Sequence, residues 1–176
     1  MDCRQNRVAC RGGLILIDKD RFCEEIRLCE KAMYYVAFSV TGSNDDAAEI
    51  ISEAIYRAYK NLDSLKNEGA FKAWILRIVH NTAVETVRKN SKIIPLEENN
   101  HSFYCEDENL TERLDLQNAV NRLKQPYRTV VVLFYYENLS AAEIAKITDS
   151  NVAAVKKQLS RARNMLRESL KEDFNQ

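Results

Sequence analysis

Leu139–Arg167 reads LSAAEIAKITDSNVAAVKKQLSRARNMLR, and its pattern of caps and apolar residues decides the fold around it. Ser140 is followed three residues later by Glu143, the spacing of a capping box that satisfies two free amides at a helix start. The apolar residues that follow recur at helical spacing until four short polar residues, 148–151, predict a turn. A short helix is therefore expected, with its apolar side formed by Ala141, Ile144, Ala145 and Ile147.

A second, longer helix is predicted after this turn, with Asn151 as its N-cap. Its apolar side consists of Val152, Val155, Leu159, Ala162 and Leu166, and another side carries Ala153, Lys156, Lys157, Ser160, Arg161 and Asn164. Residues 152–167 contain five cations and no carboxylate, the electrostatic footprint of a nucleic-acid ligand.

Two helices joined by a tight turn, the second of them cationic, describe a helix-turn-helix whose second helix enters the major groove of DNA. A basic terminal helix alone is more often a solvated face, and it is the capped preceding helix and the polar turn that favour DNA binding. The residues expected to meet base edges are Lys156, Lys157, Ser160 and Arg161. Arg163, Arg167 and Gln158 are expected to lie towards phosphates.

Three amphipathic helices are predicted in the N-terminal half, over about 20–41, 44–62 and 70–89. Gly42 suits the end of the first helix, and Asn44 suits the N-cap of the second. The second helix has acids on its polar side, whereas the third places a mostly cationic face beside aromatic residues. At this spacing Phe71 and Trp74 are ordinarily core residues, but Arg77, Asn81 and Arg88 beside them also suit a single-stranded nucleic acid.

The chain is predicted to be all-α, with two small helical domains joined by a flexible acidic linker. Residues 90–109 contain Pro95 and five acids against a single lysine, and they lack a helical period. Beyond them, helices are expected over 110–124 and, opened by Pro126, over 127–137, where Val130, Val131, Leu133 and Phe134 are the expected core contacts. The predicted division is an N-terminal arm (1–17), a helical domain (18–89), a linker (90–109) and a helix-turn-helix domain (110–176).

Charge and composition exclude several classes of protein. Twenty-six basic and 26 acidic residues leave no net charge, so this is not a generally basic nucleic-acid coat. Motifs of hydrolases, nucleotide-binding loops and zinc proteases do not occur, so neither an enzymatic role nor a cofactor is expected. Because the apolar run 14–17 is too short to span a bilayer, a cytoplasmic protein is expected.

The five cysteines are odd in number and form no CxxC pair, so neither a disulfide framework nor a zinc ribbon is indicated. They are most simply read as free thiols. A metal site made of Cys23, Cys29 and either His80 or His101 is a remote alternative, because these residues lack the spacing of metal ligands. No metal is therefore predicted.

Three blocks of the chain, in order, resemble the extracytoplasmic-function sigma factors of bacterial RNA polymerase. They are Asp46–Glu53 (DAAEIISE), Phe71–Asn81 (FKAWILRIVHN) and the stretch from Tyr127-Arg128 through LSAAEIA to Val155-Lys156 and Arg161-Ala162-Arg163. The resemblance covers about residues 20–89 and 110–170. It implies an alternative sigma factor that binds core RNA polymerase and directs transcription initiation.

The resemblance also implies roles for particular residues. Asp46, Glu49, Ile50 and Glu53 would bind the clamp of the largest polymerase subunit, and the second domain would meet the flap of the second subunit. The minus-35 element would be read by Lys156, Lys157, Ser160, Arg161, Arg163 and Arg167. The minus-10 element would be read by Asp63, Ser64, Leu65, Lys66, Asn67, Trp74, Arg77, Asn81 and Arg88.

The family further implies an anti-sigma factor as a partner, often one that holds the sigma factor at the membrane, and no small-molecule substrate. The chain departs from the family pattern in the turn, where Thr148-Asp149 replaces the usual Leu-Gly, and Asp tolerates a left-handed backbone better than most residues. It also departs just before the predicted helix 127–137, where Leu123-Lys124 replaces the Leu-Pro that is common in the family. Two rival functions remain at this stage: a stand-alone helix-turn-helix regulator of duplex operators, and a helical interaction module with an incidental basic face.

Overall fold

A computed structural model of the protein describes residues 17–90 and 110–173, and within these residues the chain forms helices and no strand. The predicted all-α fold class is thus confirmed. The linker and nearly all of the N-terminal arm fall outside the described residues. The α-helices are α1 (Lys19–Thr41), α2 (Asn44–Lys60), α3 (Phe71–Asn90), α4 (Leu110–Arg122), α5 (Tyr127–Val131), α6 (Ala141–Ile147) and α7 (Val152–Asp173).

Capping residues set the ends of α1 and the start of α2. The Asp18 carboxylate accepts a hydrogen bond from the Arg21 amide at 2.8 Å, and Gly42 ends α1 with a left-handed φ of 72°. The N-cap of α2 is Ser43 rather than Asn44, because the Ser43 hydroxyl accepts the Asp46 amide at 3.3 Å. The Asn44 side chain is engaged elsewhere, since its Oδ1 accepts the Tyr34 hydroxyl at 2.7 Å.

Helices α1, α2 and α3 pack against one another around a shared apolar core, as their stripes predict. Phe22 of α1 lies edge-on to Phe71 of α3, with ring centroids 5.9 Å apart. Between α2 and α3 the chain makes two short 3₁₀ turns, Leu62–Ser64 and Glu68–Ala70. The largest fully buried side chains of this core are Met33, Val36, Phe38, Ile50, Phe71, Ile75, Leu76 and Val79.

A π-helical turn, Val132–Tyr136, continues α5 and changes which residues face the core. The Glu137 amide reaches back five residues to the Val132 carbonyl at 3.2 Å, so this turn holds one residue more than an α-turn. The extra residue turns Phe134 outward to 37% exposure and buries Val132 instead. The prediction that Phe134 is a core contact is therefore wrong, and the reason is the lost α-helical register.

The N-terminal and C-terminal helices meet in a polar junction between α1 and α5. The Ser39 carbonyl accepts hydrogen bonds from the Gln125 side chain and from Arg128 Nε, the latter at 2.6 Å. The hydroxyls of Ser39 and Thr129 lie 3.0 Å apart and are buried. One contiguous cluster of buried residues extends through both halves of the chain.

Two ion pairs join α3 to the C-terminal half. Lys72 Nζ lies 2.7 Å from Glu137 Oε2, and Arg77 Nη2 lies 3.6 Å from Asp149 Oδ1 in the turn between α6 and α7. Helix α3 also packs against α6. We call the α1–α5 contacts and these two ion pairs together the junction.

Among the described helices, none has the length and apolar character needed to cross a membrane.

Candidate nucleic-acid interface

The helix-turn-helix consists of α6, the turn 148–151 and α7, and its local geometry follows the predicted caps. The Ser140 amide donates to Glu143 Oε2 at 2.8 Å, and the Glu143 amide donates to the Ser140 hydroxyl at 3.3 Å, so the capping box is confirmed. The Ser140 hydroxyl also donates to Glu143 Oε2 at 2.6 Å, and this bond and the one from the Ser140 amide lower the pKa of Glu143 because they favour its charged form. At the start of α7 the Ala154 amide donates to Asn151 Oδ1 at 2.8 Å, which confirms Asn151 as the N-cap of this helix.

The turn is completed by Asp149, whose φ of 52° lies in the left-handed region. Glycine adopts this conformation most easily, and among the other residues Asp and Asn tolerate it best. The Ser150 amide then donates to the Ala145 carbonyl at 2.9 Å, and the Thr148 hydroxyl donates to the Ile144 carbonyl at the same distance. The turn therefore closes with Asp149 at a position where glycine would be the least strained residue.

One side of α7 packs and another faces solvent. Val155, Leu159 and Ala162 are buried, whereas Val152, predicted to belong to the same apolar side, is 39% exposed because it lies in the first turn, beyond the edge of the packed surface. The outward side carries the predicted base-edge residues, all exposed: Lys156, Lys157, Ser160 and Arg161.

Arg163 and Arg167, predicted to lie towards phosphates, border an apolar groove. This groove, of about 710 Å³, lies between α4, the π-helical turn and the second half of α7, and Lys171 adds a third cation to its edge. Its floor is apolar and includes Leu116, Val120, Tyr135, Leu166 and Leu170. Sequence reasoning missed the groove because its walls come from three segments that are far apart in the chain.

The loop between α2 and α3 is tied to α3 by Trp74. The Trp74 indole donates to the Ser64 hydroxyl at 3.1 Å, and Leu65 is 5% exposed and anchors the loop in the core. Leu65, predicted to belong to the DNA-reading loop, is thus the buried member of that loop. Asp63, Ser64, Lys66 and Asn67 remain exposed.

Beside this loop is an open cavity of about 310 Å³, bordered by Ser64, Trp74, Ile78 and Asn81. It has an aromatic wall and amide and hydroxyl groups, which are the features that hold an unstacked base. Of the predicted minus-10 residues, Ser64, Trp74 and Asn81 border the cavity. The exposed Arg77 is paired instead with Asp149, and the exposed Arg88 lies further along α3.

His80, predicted on the polar face of α3, is partly buried, and this burial lowers its pKa by disfavouring the charged imidazolium. The ring Nδ1 lies 3.4 Å from Asn81 Oδ1. His80 therefore adds no cation to the face that carries Arg77. No cluster of three potential metal ligands occurs among residues 17–90 and 110–173, where Cys23 is exposed and Cys29 is buried.

The polar side of α2 presents acids next to an ion-pair network. Arg57 lies 2.7 Å from Glu53 on its own helix and 2.8 Å from Glu85 on α3, and these partners raise the pKa of Arg57 while Arg57 lowers that of Glu85. Glu49 is exposed and Asp46 half-exposed. Ile50, predicted to meet a partner, is 2% exposed and packs in the core, whereas the three acids predicted with it, Asp46, Glu49 and Glu53, are accessible.

Two protein-family models match separate parts of the chain. Residues 26–93 match the family model described as Sigma-70 region 2, and residues 113–166 match the one described as Sigma-70, region 4. RNA polymerase sigma factor SigV of Bacillus subtilis is 33% identical over 144 residues, which cover 81% of this chain and 87% of SigV. The chain belongs to the extracytoplasmic-function (ECF) RNA polymerase sigma factors.

Other relatives agree with this assignment. ECF RNA polymerase sigma factor SigW of Bacillus subtilis is 30% identical over 171 residues, which cover 88% of this sigma factor and 91% of SigW. The solved structure of the sigma factor RpoE in complex with the anti-sigma factor NepR, from Bartonella quintana, gives a TM-score of 0.75 at 25% identity, covering 88% of this chain and 98% of RpoE. CnrH in complex with the cytosolic domain of CnrY has the same fold, with a TM-score of 0.64.

This ECF sigma factor is an alternative sigma factor that acts in transcription initiation. The helix-turn-helix lies in the part that matches region 4, and the cavity beside Trp74 lies in the part that matches region 2.

Proposed function

We propose that this sigma factor reads the minus-35 element with α7 and the minus-10 element with the loop 61–70 and α3. The observation that carries the proposal is the exposed side of α7, where Lys156, Lys157, Ser160 and Arg161 stand free of carboxylates on a capped helix. Lysine and arginine pair with the guanine acceptors of the major groove, so these side chains supply specificity.

The minus-10 role is supported by the cavity bordered by Ser64, Trp74 and Asn81. An unstacked base entering this cavity would meet the indole ring and find hydrogen-bonding groups on two sides. Lys66, Asn67, Arg77 and Arg88 are exposed nearby or along the same helix and would contact the strand around it. The protein would thus confer specificity and stabilise an opened strand, while the polymerase forms the phosphodiester bond and the sigma factor itself catalyses nothing.

We propose that two surfaces of the protein bind core RNA polymerase. Because transcription takes place in the cytoplasm, the protein would work there. The acids Asp46, Glu49 and Glu53 of α2, the first half-exposed and the other two exposed, suit a basic partner surface on the clamp. The apolar groove edged by Arg163, Arg167 and Lys171 suits a partner helix with an apolar face and acidic flanks, and we assign it to the flap of the second subunit. Arg163 and Arg167 would then serve the polymerase contact in addition to, or instead of, phosphates.

An anti-sigma factor is proposed as the regulatory partner, and attachment of the pair to the membrane would come from that protein. The support is that RpoE of Bartonella quintana and CnrH were both solved with an anti-sigma partner. Both α2 and the groove of α4 and α7 are open for such a partner in the described structure.

The proposal is tested by measuring the binding of the purified chain to core RNA polymerase. Glu49→Lys is expected to weaken binding by on the order of tenfold or more, because a like charge would then face the basic partner surface. Glu30→Lys, which reverses an exposed acid on α1, is the matched control and should leave binding unchanged. If the wild type does not bind core polymerase but binds palindromic duplex DNA tightly, the chain is a stand-alone regulator; if Glu49→Lys binds normally, the assigned surface is wrong.

A further inference from the structure

We propose that the cations of the N-terminal arm, Arg4, Arg7 and Arg11, bind phosphates of the promoter DNA that flanks the minus-10 element. This inference rests on the proposed function, because it takes the loop 61–70 as the part that reads that element. Residues 1–16 would then add affinity for DNA without choosing bases, because phosphate contacts carry no sequence information.

The arm is basic, whereas the chain as a whole is neutral. Residues 1–16 read MDCRQNRVACRGGLIL, with three arginines and one acid, while the whole chain has 26 basic and 26 acidic residues. Basic N-terminal arms beside a folded DNA-binding domain are used in the same way by homeodomains, whose arms place arginines on the DNA. Arginine suits this contact because its guanidinium stays charged and matches the geometry of phosphate oxygens.

The structure shows where the arm leaves the folded part of the chain. Ile17, the first described residue, is 2% exposed in the apolar core. Phe22, in the first turn of α1, has its ring centroid 5.7 Å from that of Tyr59 and 5.9 Å from that of Phe71. Tyr59 lies just before the loop 61–70, and Phe71 follows it directly. The start of α1 therefore lies against both ends of the loop that is proposed to read DNA.

The arm is long enough to reach DNA that is held by this loop. An extended chain spans at most about 3.3–3.6 Å per residue, so Arg11 reaches about 20 Å from Ile17 and Arg4 about 45 Å. These lengths correspond to roughly six and thirteen base pairs at 3.4 Å per pair. All three arginines can therefore meet phosphates close to the minus-10 element.

The acidic side of α2 is the other surface that could attract these arginines. Asp46 and Glu49 lie ten or more residues before Tyr59 on the same helix, which places them about 15 Å or more from the start of α1. The nearer Glu53 is already paired with Arg57 at 2.7 Å. Duplex DNA carries one charge per roughly 1.7 Å of its axis, so a promoter held by the loop would offer the arm a denser set of anions.

The salt dependence of promoter binding by the chain in complex with core polymerase tests the inference. Each neutralised phosphate contributes about 0.9 to the slope of log affinity against log salt on duplex DNA, and about 0.7 on a single strand. Arg7→Ala combined with Arg11→Ala should therefore lower the magnitude of the slope by about 1.4–1.8, and weaken binding by the same factor on every single-base promoter variant. Arg7→Lys combined with Arg11→Lys keeps both charges and should leave the slope unchanged.

A matched pair of substitutions on α1 separates the arm from a general effect of net charge. Arg27→Ala combined with Lys31→Ala removes two exposed cations from the middle of α1 and should not change the slope. An equal fall for the two pairs, or no fall for the arm pair, would overturn the inference. An unchanged slope together with tighter binding to core polymerase would place the arm on the acids of α2 instead of on DNA.

A photocrosslinking amino acid at Val8 locates the arm in the complex of the full-length chain, core polymerase and promoter DNA. We expect crosslinks to DNA within roughly ten base pairs of the minus-10 element. The same amino acid at Glu30, an exposed position further along α1, should give none. Crosslinks from Val8 only to protein would overturn the inference and leave the proposed function intact, whereas a wild-type chain that does not bind core polymerase would remove both.

Discussion

Lys157 and Arg161 lie one helical turn apart on the exposed side of α7. If each contacts a guanine edge, as we propose, replacement by alanine should cost about 1–3 kcal/mol of promoter binding per lost base contact. The minus-35 preference should relax at one position for each variant, as measured by polymerase-dependent binding to single-base promoter variants.

The control for this prediction is Lys124→Ala, which removes an exposed cation between α4 and α5. Because this substitution removes only a general electrostatic attraction to DNA, it should change binding equally for every promoter variant. Uniform weakening by Lys157→Ala would therefore show that this lysine contacts phosphate and carries no sequence information.

Glu143 makes the stability of the helix-turn-helix sensitive to acid. Its pKa is lowered in the folded protein by hydrogen bonds from Ser140, so its contribution is fully present above the usual glutamate value of about 4.3 and is lost as the pH falls through the lowered folded pKa. Glu143→Gln should flatten that part of the stability profile, measured by denaturant unfolding between neutral and acidic pH. If stability falls with pH at the same slope in the two proteins, the hydrogen bonds from Ser140 to Glu143 are not the cause of the acid sensitivity.

The indole of Trp74 fixes the loop 61–70 on α3, and this loop is proposed to read the minus-10 element. Trp74→Phe keeps an aromatic wall but loses the hydrogen bond to Ser64, so the free energy of unfolding should fall by about 0.5–1.5 kcal/mol. Opening of the minus-10 region, followed by permanganate reactivity of unpaired thymines, should be slower.

Ser64→Ala is the matched partner of Trp74→Phe, because it removes the same hydrogen bond from the other side. The double variant should cost less than the sum of the single variants if that bond is the common cause. Additive costs would mean that Trp74 and Ser64 act separately on the loop.

At the scale of elements, periodicity and caps predicted the helices within a few residues, since each helix has a continuous apolar stripe and most ends carry a polar cap. The exceptions have local physical causes. Ser43 rather than Asn44 caps α2 because Tyr34 engages Asn44, and the π-helical turn displaces Phe134 because it adds a residue that no periodic pattern reveals.

The candidate sites were predicted less completely than the helices. The outward side of α7 follows from helical spacing, but the burial of Ile50 and Leu65 depends on which neighbours cover them. The groove beside Arg163 and the pairing of Lys72 with Glu137 join residues distant in the chain. Single side chains that meet across such distances leave no spacing signal in one sequence.

At the scale of the whole molecule, α1 packs against α2 and α3 and also against α5, so its C-terminal end connects the two parts that match regions 2 and 4. The same arrangement keeps the helix-turn-helix close to α3. The polymerase surfaces proposed on α2 and on the groove of α7 therefore lie on the two parts that α1 connects.

The central claim is that this chain gives core RNA polymerase a promoter specificity. The most direct measurement is transcription in vitro by core polymerase, with and without the purified chain, from a library of randomised upstream sequences, with the transcripts sequenced. We expect chain-dependent transcripts whose templates share two separated elements, with the upstream preference altered by Arg161→Ala and the downstream one by Asn81→Ala. No chain-dependent transcription, or enrichment of a single palindromic site, would contradict it.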